Sequence, residues 1–188
     1  YTRTNMIFEN TKLITENSDL NADIEFNYKR EDLADFNNKV FIDATFDNAS
    51  VSLIDLNKFY GELGKNDKVN FTTHLTGTLN DFKLDNLRLR FNRNSIINGN
   101  FDFKNIINSE NGFSLNATMK EVSSNYDNLK QLLPNILGKT LPSTFEKFGR
   151  FSLKGQSYIT NEIVEANIEI NSTIGVINSN LTMTNIND

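Results

Sequence analysis

Apolar and polar residues alternate with a period of two along most of this chain. In residues 113–120, Phe, Leu, Ala and Met alternate with Ser, Asn, Thr and Lys, and the same alternation occurs at 20–29, 40–47, 69–79 and 87–92. Successive side chains of a β-strand point to opposite faces of a sheet. Each of these segments therefore predicts a strand with one apolar face and one polar face.

Short clusters of turn-forming residues separate the predicted strands, as at Asn80-Asp81 and Thr160-Asn161. This spacing favours an antiparallel meander over parallel strands joined by long crossovers. Helical spacing of apolar residues predicts short helices at 55–63, with Asp55 as the N-cap, and at 126–133, while 144–148 predicts one helical turn. The chain is thus predicted to be mostly β with a few short helices.

The strand pattern occurs twice. Residues 69–106 align with residues 147–186 at an offset that drifts only from 78 to 80, so that Leu75 and Gly77 fall on Leu153 and Gly155. With the preceding helices, the repeats extend over 49–106 and 117–186, and residues 5–46 resemble part of an earlier repeat. We interpret residues 1–188 as one continuous repeat segment of a longer protein.

Two architectures are compatible with these strands. An elongated, curled antiparallel sheet would present its apolar face as a trough, and a closed β-sandwich would bury the same face against a second sheet. Periodicity alone favours the sandwich, and the internal repeat of hairpins indicates an elongated β array.

Composition limits the function classes. The net charge is −5 with both signs interleaved, so the sequence shows no basic patch for nucleic acid. No cysteine is present, which excludes disulfides, thiol catalysis and cysteine-type metal sites. Asparagine is abundant, at 31 of 188 residues, and we interpret this as a compositional bias without structural meaning.

Candidate chemistry is sparse. His74 is the single histidine and lies on the polar side of its strand, where a solvated role is expected. The sequence has no nucleophile elbow and no phosphate-binding glycine loop, so we expect no enzymatic activity and no cofactor.

Two groups of charged residues are candidate sites. Asp32, Asp35, Asp43 and Asp47 lack the alternating ligand spacing of a calcium loop, so we expect no metal site. Arg88, Arg90 and Arg93 form a small basic strip. We expect this strip to face Asp or Glu side chains on neighbouring strands, and the alternative is contact with lipid headgroups.

The order of motifs in the second repeat resembles the TamB-like proteins of the Bacteroidota. The first repeat carries a shorter form of the same order, at 54–60 and 75–79, and the resemblance extends from about Asn5 onward. The motifs are Asn128-Leu129-Lys130-Gln131-Leu132-Leu133-Pro134, Leu141-Pro142, Phe148-Gly149, Leu153-Lys154-Gly155, Ser172-Thr173-Ile174-Gly175 and Asn180-Leu181-Thr182-Met183.

The resemblance implies a function. TamB-like proteins belong to the AsmA-like group of bridge-type lipid carriers, which are anchored in the inner membrane and cross the periplasm to the outer membrane. Their curled sheet shields phospholipid acyl chains in a hydrophobic groove, so the resemblance favours the elongated, curled sheet over the closed β-sandwich. The resemblance therefore implies lipid transport, with membrane contact through regions outside this segment. The alternative is a structural or assembly scaffold that pairs a sheet edge with a client, such as an outer-membrane β-barrel protein.

Strand parity supplies the candidate groove residues. We also expect edge-to-edge self-association, because an isolated β array exposes unpaired strand edges. The predicted lining residues are the apolar-parity positions near the middle of the strands in both repeats: Phe71, Leu75, Leu89, Phe91, Phe101, Phe103, Leu115, Ile168, Ile170 and Leu181.

Overall fold

The chain folds into one open antiparallel sheet of ten strands. This computed structural model describes residues 4–58, 60–61, 63–64, 67–92, 94–135 and 137–184. Each strand pairs with its neighbours in sequence, so the strand order is simply β1 to β10. The strands are β1 Thr4–Ile14, β2 Asp19–Tyr28, β3 Phe41–Ser52, β4 Lys68–Gly77, β5 Phe82–Phe91, β6 Ser95–Lys104, β7 Ser114–Asn125, β8 Arg150–Thr160, β9 Ile163–Ser172 and β10 Gly175–Thr184.

This architecture decides between the two predicted folds. The prediction of a mostly β chain with an extended antiparallel sheet is confirmed. The closed β-sandwich is wrong, because the hydrogen-bonded ladder runs without a break from β1 to β10 and leaves no described strand for a second sheet.

Strand register gives the sheet two chemically distinct faces. Leu115 lies directly between Phe103 and Ile159, whereas the next residue, Asn116, lies between Asp102 and Tyr158. The same parity holds across the strands, as the alternation predicts. We call the two sides the apolar face and the polar face.

Bulges interrupt the ladder at similar positions in β1, β3, β5 and β7. In the first three, an asparagine adopts a positive φ at the bulge: Asn10 at 49°, Asn48 at 50° and Asn86 at 52°. Asparagine tolerates this conformation better than most residues, and a bulge bends its strand. The interpretation that the asparagine content lacks structural meaning is therefore wrong at these positions.

The helices are short and lie in the connections. Ser52, rather than Asp55, caps the helix after β3, because its side chain accepts a hydrogen bond from the Ile54 amide. Phe59, inside the predicted helix 55–63, lies outside the described residues. The helices are α1 Phe36–Lys39, α2 Leu53–Leu56, α3 Tyr126–Leu132 and α4 Leu137–Thr140, and the 3-10 turns are Arg30–Asp35, Ser109–Asn111 and Ser143–Phe148.

Asp55 ties the first hairpin to α2 instead of capping that helix. The hydroxyls of Ser18 and Thr15 donate hydrogen bonds to its carboxylate at 2.7 and 2.6 Å. Both hydrogen bonds favour the ionised carboxylate and lower the pKa of Asp55 to about 2. The bond from Ser18 lowers this pKa more than the bond from Thr15. The tie between the β1–β2 turn and α2 therefore persists in mildly acidic solution.

The core lies where helices cover one part of the apolar face. We call α2, α3, α4 and the turn Ser143–Phe148 the helical cover. The connection between α2 and β4 contacts α3, where the Gly64 amide donates to the Leu132 carbonyl at 3.0 Å. Phe151, only 2% exposed, packs its ring against Phe145 and Phe148. The buried cluster comprises Val51, Leu53, Val69, Phe91, Val122, Leu129, Leu132, Phe151, Ile168 and Ile170.

Candidate functional site

Two rows of directly paired residues cross the part of the apolar face that the helical cover leaves open. They run perpendicular to the strands, side by side, and we name this pair of rows the trough. The inner row is Phe8, Ile24, Ala44, Leu75, Leu84, Phe101, Ala117, Ser157, Ala166 and Leu181. The rim row is Met6, Phe26, Ile42, Gly77, Phe82, Phe103, Leu115, Ile159, Val164 and Met183.

Both rows are uncharged and mostly apolar from one edge of the sheet to the other. Every position carries an apolar side chain except Gly77 and Ser157, and no charged residue occupies either row. Neighbouring strands lie about 4.8 Å apart, so nine intervals make a track of about 43 Å. The trough is therefore a continuous apolar path across all ten strands.

Large side chains in the trough remain half-exposed. Leu75, Leu84, Phe101, Phe103 and Leu115 are only partly buried, and none of them packs against the buried cluster beneath the helical cover. Phe103 contacts two other rings, with centroids 4.9 Å from Phe82 and 6.4 Å from Phe101. Ile42, Ala44, Phe82 and Ala117 of the same rows are buried, so the open apolar surface lies at the partly exposed residues. Exposed apolar surface of this kind marks a contact or ligand surface.

Polar turns border the trough along its open end. The Asn80 side chain is buried, and its Oδ1 accepts hydrogen bonds from the Ile107 and Asn108 amides at 3.0 and 3.2 Å. The Asn105 amide donates to Asp81 Oδ1 at 2.7 Å. This border places hydrogen-bonding groups beside the apolar side chains of the rim row.

Gly77 is required where the rim row meets this border. Its φ is +133°, and a Cβ built on it would lie 2.3 Å from the Asp81 carbonyl oxygen. The glycine that the repeat aligns with it, Gly155, has a φ of +142° and an equally close contact with the Asn167 carbonyl oxygen. The repeated glycines therefore mark the same backbone conformation in both repeats.

The predicted lining residues fall into two environments. Half of them lie in the trough, and these are Leu75, Phe101, Phe103, Leu115 and Leu181. The others lie under or against the helical cover: Phe91, Ile168 and Ile170 belong to the buried cluster, and Phe71 and Leu89 pack against it.

Sequence reasoning missed several trough residues. Phe8 and Phe26 lie in β1 and β2, before the two complete repeats from which candidates were chosen. Phe82 and Ile159 lie near strand ends, whereas the predicted lining residues lie near the middle of their strands. All four share the apolar parity of their strands, so parity alone would have found them.

The polar face holds the charged residues that the sequence singled out. His74 Nε2 lies 2.8 Å from Asp43 Oδ1, in a partly exposed pair. Arg88 lies opposite Thr72 and Asn98, and Arg90 opposite Asn70 and Ile96. The expected ladder of Arg facing Asp or Glu is therefore wrong, because the register brings neutral residues to these positions. Arg93 lies outside the described residues.

The carboxylates considered for calcium do not converge. Asp32 instead accepts a hydrogen bond from the Lys29 amide at 2.7 Å, and Asp35 accepts one from Asn38. Within the described ranges, no group of three or more His, Cys, Asp or Glu side chains is placed to hold a metal ion.

Comparison with protein-family models, curated proteins and solved structures finds no match for this chain. Among the residues that the structure describes, no helix is both long enough and apolar enough to cross a membrane.

Proposed function

We propose that the chain is a segment of a TamB-like lipid carrier whose trough shields phospholipid acyl chains. In this proposal the segment lies in the periplasm, within a protein anchored in the inner membrane and reaching the outer membrane. The observation that carries the proposal is the pair of uncharged rows that cross all ten strands beside the helical cover. The sequence resemblance described above supports the same family.

The dimensions of the trough suit acyl chains. One leaflet of a bilayer has a hydrocarbon layer about 15 Å thick, half of the roughly 30 Å core. A track of about 43 Å is therefore long enough for more than one lipid in line. Each buried CH₂ contributes about 0.8 kcal/mol, so a chain lying on this floor is strongly favoured over water.

The polar border gives the headgroup a separate place. Side chains such as Asn105 and Asn108 follow the rim row directly in the β6–β7 connection. A lipid with its tails on the trough floor would keep its headgroup at this border, in contact with water and amide groups. Passage along the track would then require no desolvation of the headgroup, whose burial would be costly.

Retention of lipid by the purified chain tests this proposal. Native mass spectrometry of protein purified without detergent should show adducts with the masses of phospholipids from the expression host. A short detergent wash should remove these adducts and leave the circular dichroism spectrum unchanged. Protein that repeatedly carries no lipid, even after incubation with phosphatidylethanolamine vesicles, would refute a lipid-binding trough.

A second candidate function is a scaffold that pairs its sheet edge with a client strand. The observation that favours it is β10, which pairs with β9 without a bulge and carries no charged residue and no proline along Gly175–Thr184. Natural sheets usually protect an edge strand with a bulge, a charged residue or a proline. Val176 is 60% exposed on this edge strand, and Ile7 on β1 is 57% exposed.

The edge strands β1 and β10 should promote self-association of the chain, and Val176 on β10 should contribute to it. We expect the chain to form dimers or longer arrays, because β1 of one copy can pair antiparallel with β10 of another. Val176→Lys should shift sedimentation towards the monomer, since Lys disfavours edge pairing. Asn171→Lys is the matched control, because Asn171 lies directly opposite Val176 on an interior strand. A strict monomer at high concentration, or equal behaviour of both variants, would contradict this expectation.

A further inference from the structure

A second surface lies on the polar face, on the opposite side of the sheet from the trough. It is a shallow depression of about 630 Å³ that extends across β5 to β10. Register pairs its residues directly across the strands, so they form two rows. The first row is Lys83, Asp102, Asn116, Tyr158, Glu165 and Thr182, and the second is Asn100, Thr118, Gln156, Asn167 and Asn180.

The second row consists only of amides and one hydroxyl. Asn100 Oδ1 accepts a hydrogen bond from the Asn86 amide at 2.8 Å, whereas the side chains of Gln156, Asn167 and Asn180 make no hydrogen bond with another described residue. Each amide offers two donors and one acceptor oxygen, and the spacing across strands is about 4.8 Å. The row is thus a regular line of uncharged hydrogen-bonding groups that face outward.

The first row adds an aromatic ring and an unpartnered acceptor. Tyr158 is 39% exposed in the middle of the row, between Asn116 and Glu165. Asp102 Oδ2 lies 3.7 Å from Lys83 Nζ, whereas Asp102 Oδ1 is buried and has no hydrogen-bond partner among the described residues. Because the protein encloses Oδ1, Oδ2 is the oxygen of Asp102 that a ligand hydroxyl can reach.

We propose that this depression binds a neutral polysaccharide chain that lies across the strands. Sugar hydroxyls both donate and accept hydrogen bonds, as the amide row requires, and the apolar C–H face of a sugar ring stacks on an exposed aromatic ring such as Tyr158. Asp85, Asp102 and Glu165 outnumber Lys83 in the depression, so the site disfavours anionic ligands. Side chains of polar-face parity supply most of the lining, and the inner-row residues Phe101, Ala117, Ser157, Ala166 and Leu181 complete it. The inference does not depend on lipid in the trough.

Titration with cellohexaose, observed by NMR of ¹⁵N-labelled protein, tests the proposal. The side-chain amide signals of Gln156, Asn167 and Asn180 should shift at millimolar or lower concentrations. Tyr158→Ala should weaken binding about tenfold, because it removes the stacking surface. Asn70→Ala, on the polar face outside the depression, should leave binding unchanged. A hexamer of galacturonic acid should bind more weakly than cellohexaose.

Several outcomes would overturn the proposal. One is that cellohexaose leaves every amide signal unshifted at millimolar concentration, or shifts signals only outside the depression. Equal affinity of Tyr158→Ala and the parent chain would exclude stacking on this ring. Equal or tighter binding of the anionic hexamer would contradict selection for a neutral chain. Because Tyr158 is exposed on the sheet surface, unchanged circular dichroism of the variant will separate lost binding from lost folding.

Discussion

Replacing Leu115 by Asp should slow lipid passage along the trough by about 70- to 400-fold. Leu115 lies in the rim row between Phe103 and Ile159, away from the helical cover. An Asp in the middle of a hydrocarbon layer costs about 2.5–3.5 kcal/mol, and that cost becomes a local barrier for acyl chains. The rate is measured as transfer of radiolabelled phospholipid from inner to outer membrane in cells that produce the proposed carrier with this substitution.

The neighbouring residue supplies a matched control. Asn116→Asp introduces the same charge one residue later, on the polar face. It should leave lipid transfer within a factor of two of the parent. A folded Leu115→Asp protein that transfers lipid at the parental rate would contradict the conduit, and the edge-pairing scaffold would then be the better function.

Leu115 is a cleaner position for this test than Leu89. Both lie on the apolar face, but Leu89 packs against the buried cluster. An Asp at Leu89 would place a charge against the core and destabilise folding, so lost transport would have two explanations. Leu115 is half-buried and touches the open trough, where the charge meets solvent when no lipid is bound.

Truncation of Phe151 should cost about 3–5 kcal/mol of unfolding free energy. Phe151 is 2% exposed, and its ring packs edge-on against Phe145 and Phe148, 5.8 and 6.4 Å away. Phe151→Ala would leave a cavity between β8 and the helical cover. Urea unfolding, followed by far-ultraviolet circular dichroism, should therefore show a much lower midpoint.

Tyr158→Ala on the same strand is the control for stability. Tyr158 lies on the polar face and is partly exposed, so its truncation should change the unfolding free energy by less than about 1 kcal/mol. Similar losses in both variants would contradict the assignment of the core to the helical cover. A small loss in Phe151→Ala alone would mean that the cover packs loosely on the sheet.

Alternation in the sequence was sufficient to predict the two faces of the sheet. The period of two in 113–120 or 69–79 reports directly which side chains share a face, because strand geometry leaves no other arrangement. Alternation does not report how many sheets form. The continuous hydrogen-bonded ladder from β1 to β10 settled that question against the sandwich.

The bulges were not predicted, although the sequence contains their residues. Asn48 lies between Phe46 and Ala49, which both point to the apolar face of β3. The alternation therefore changes phase at Asn48, from even to odd positions. A search for an asparagine at such a change of phase would have found Asn10 and Asn86 as well.

The sequence also does not predict which part of the apolar face the helical cover buries. The helices were predicted near 55–63 and 126–133, but amphipathic spacing does not show which part of a sheet a helix will cover. Tertiary packing places α3 over Val122 and Phe151 and leaves Phe101 and Phe103 open. The predicted lining residues therefore divided between core and trough.

Photo-cross-linking at Phe103 tests the central claim most directly. A benzophenone amino acid at Phe103 would lie on the trough floor, and the same amino acid at Lys104 would lie on the opposite face. With vesicles of phosphatidylethanolamine, illumination should attach phospholipid at position 103 and not at position 104. Equal labelling at both positions, or none at position 103, would contradict a trough that binds acyl chains.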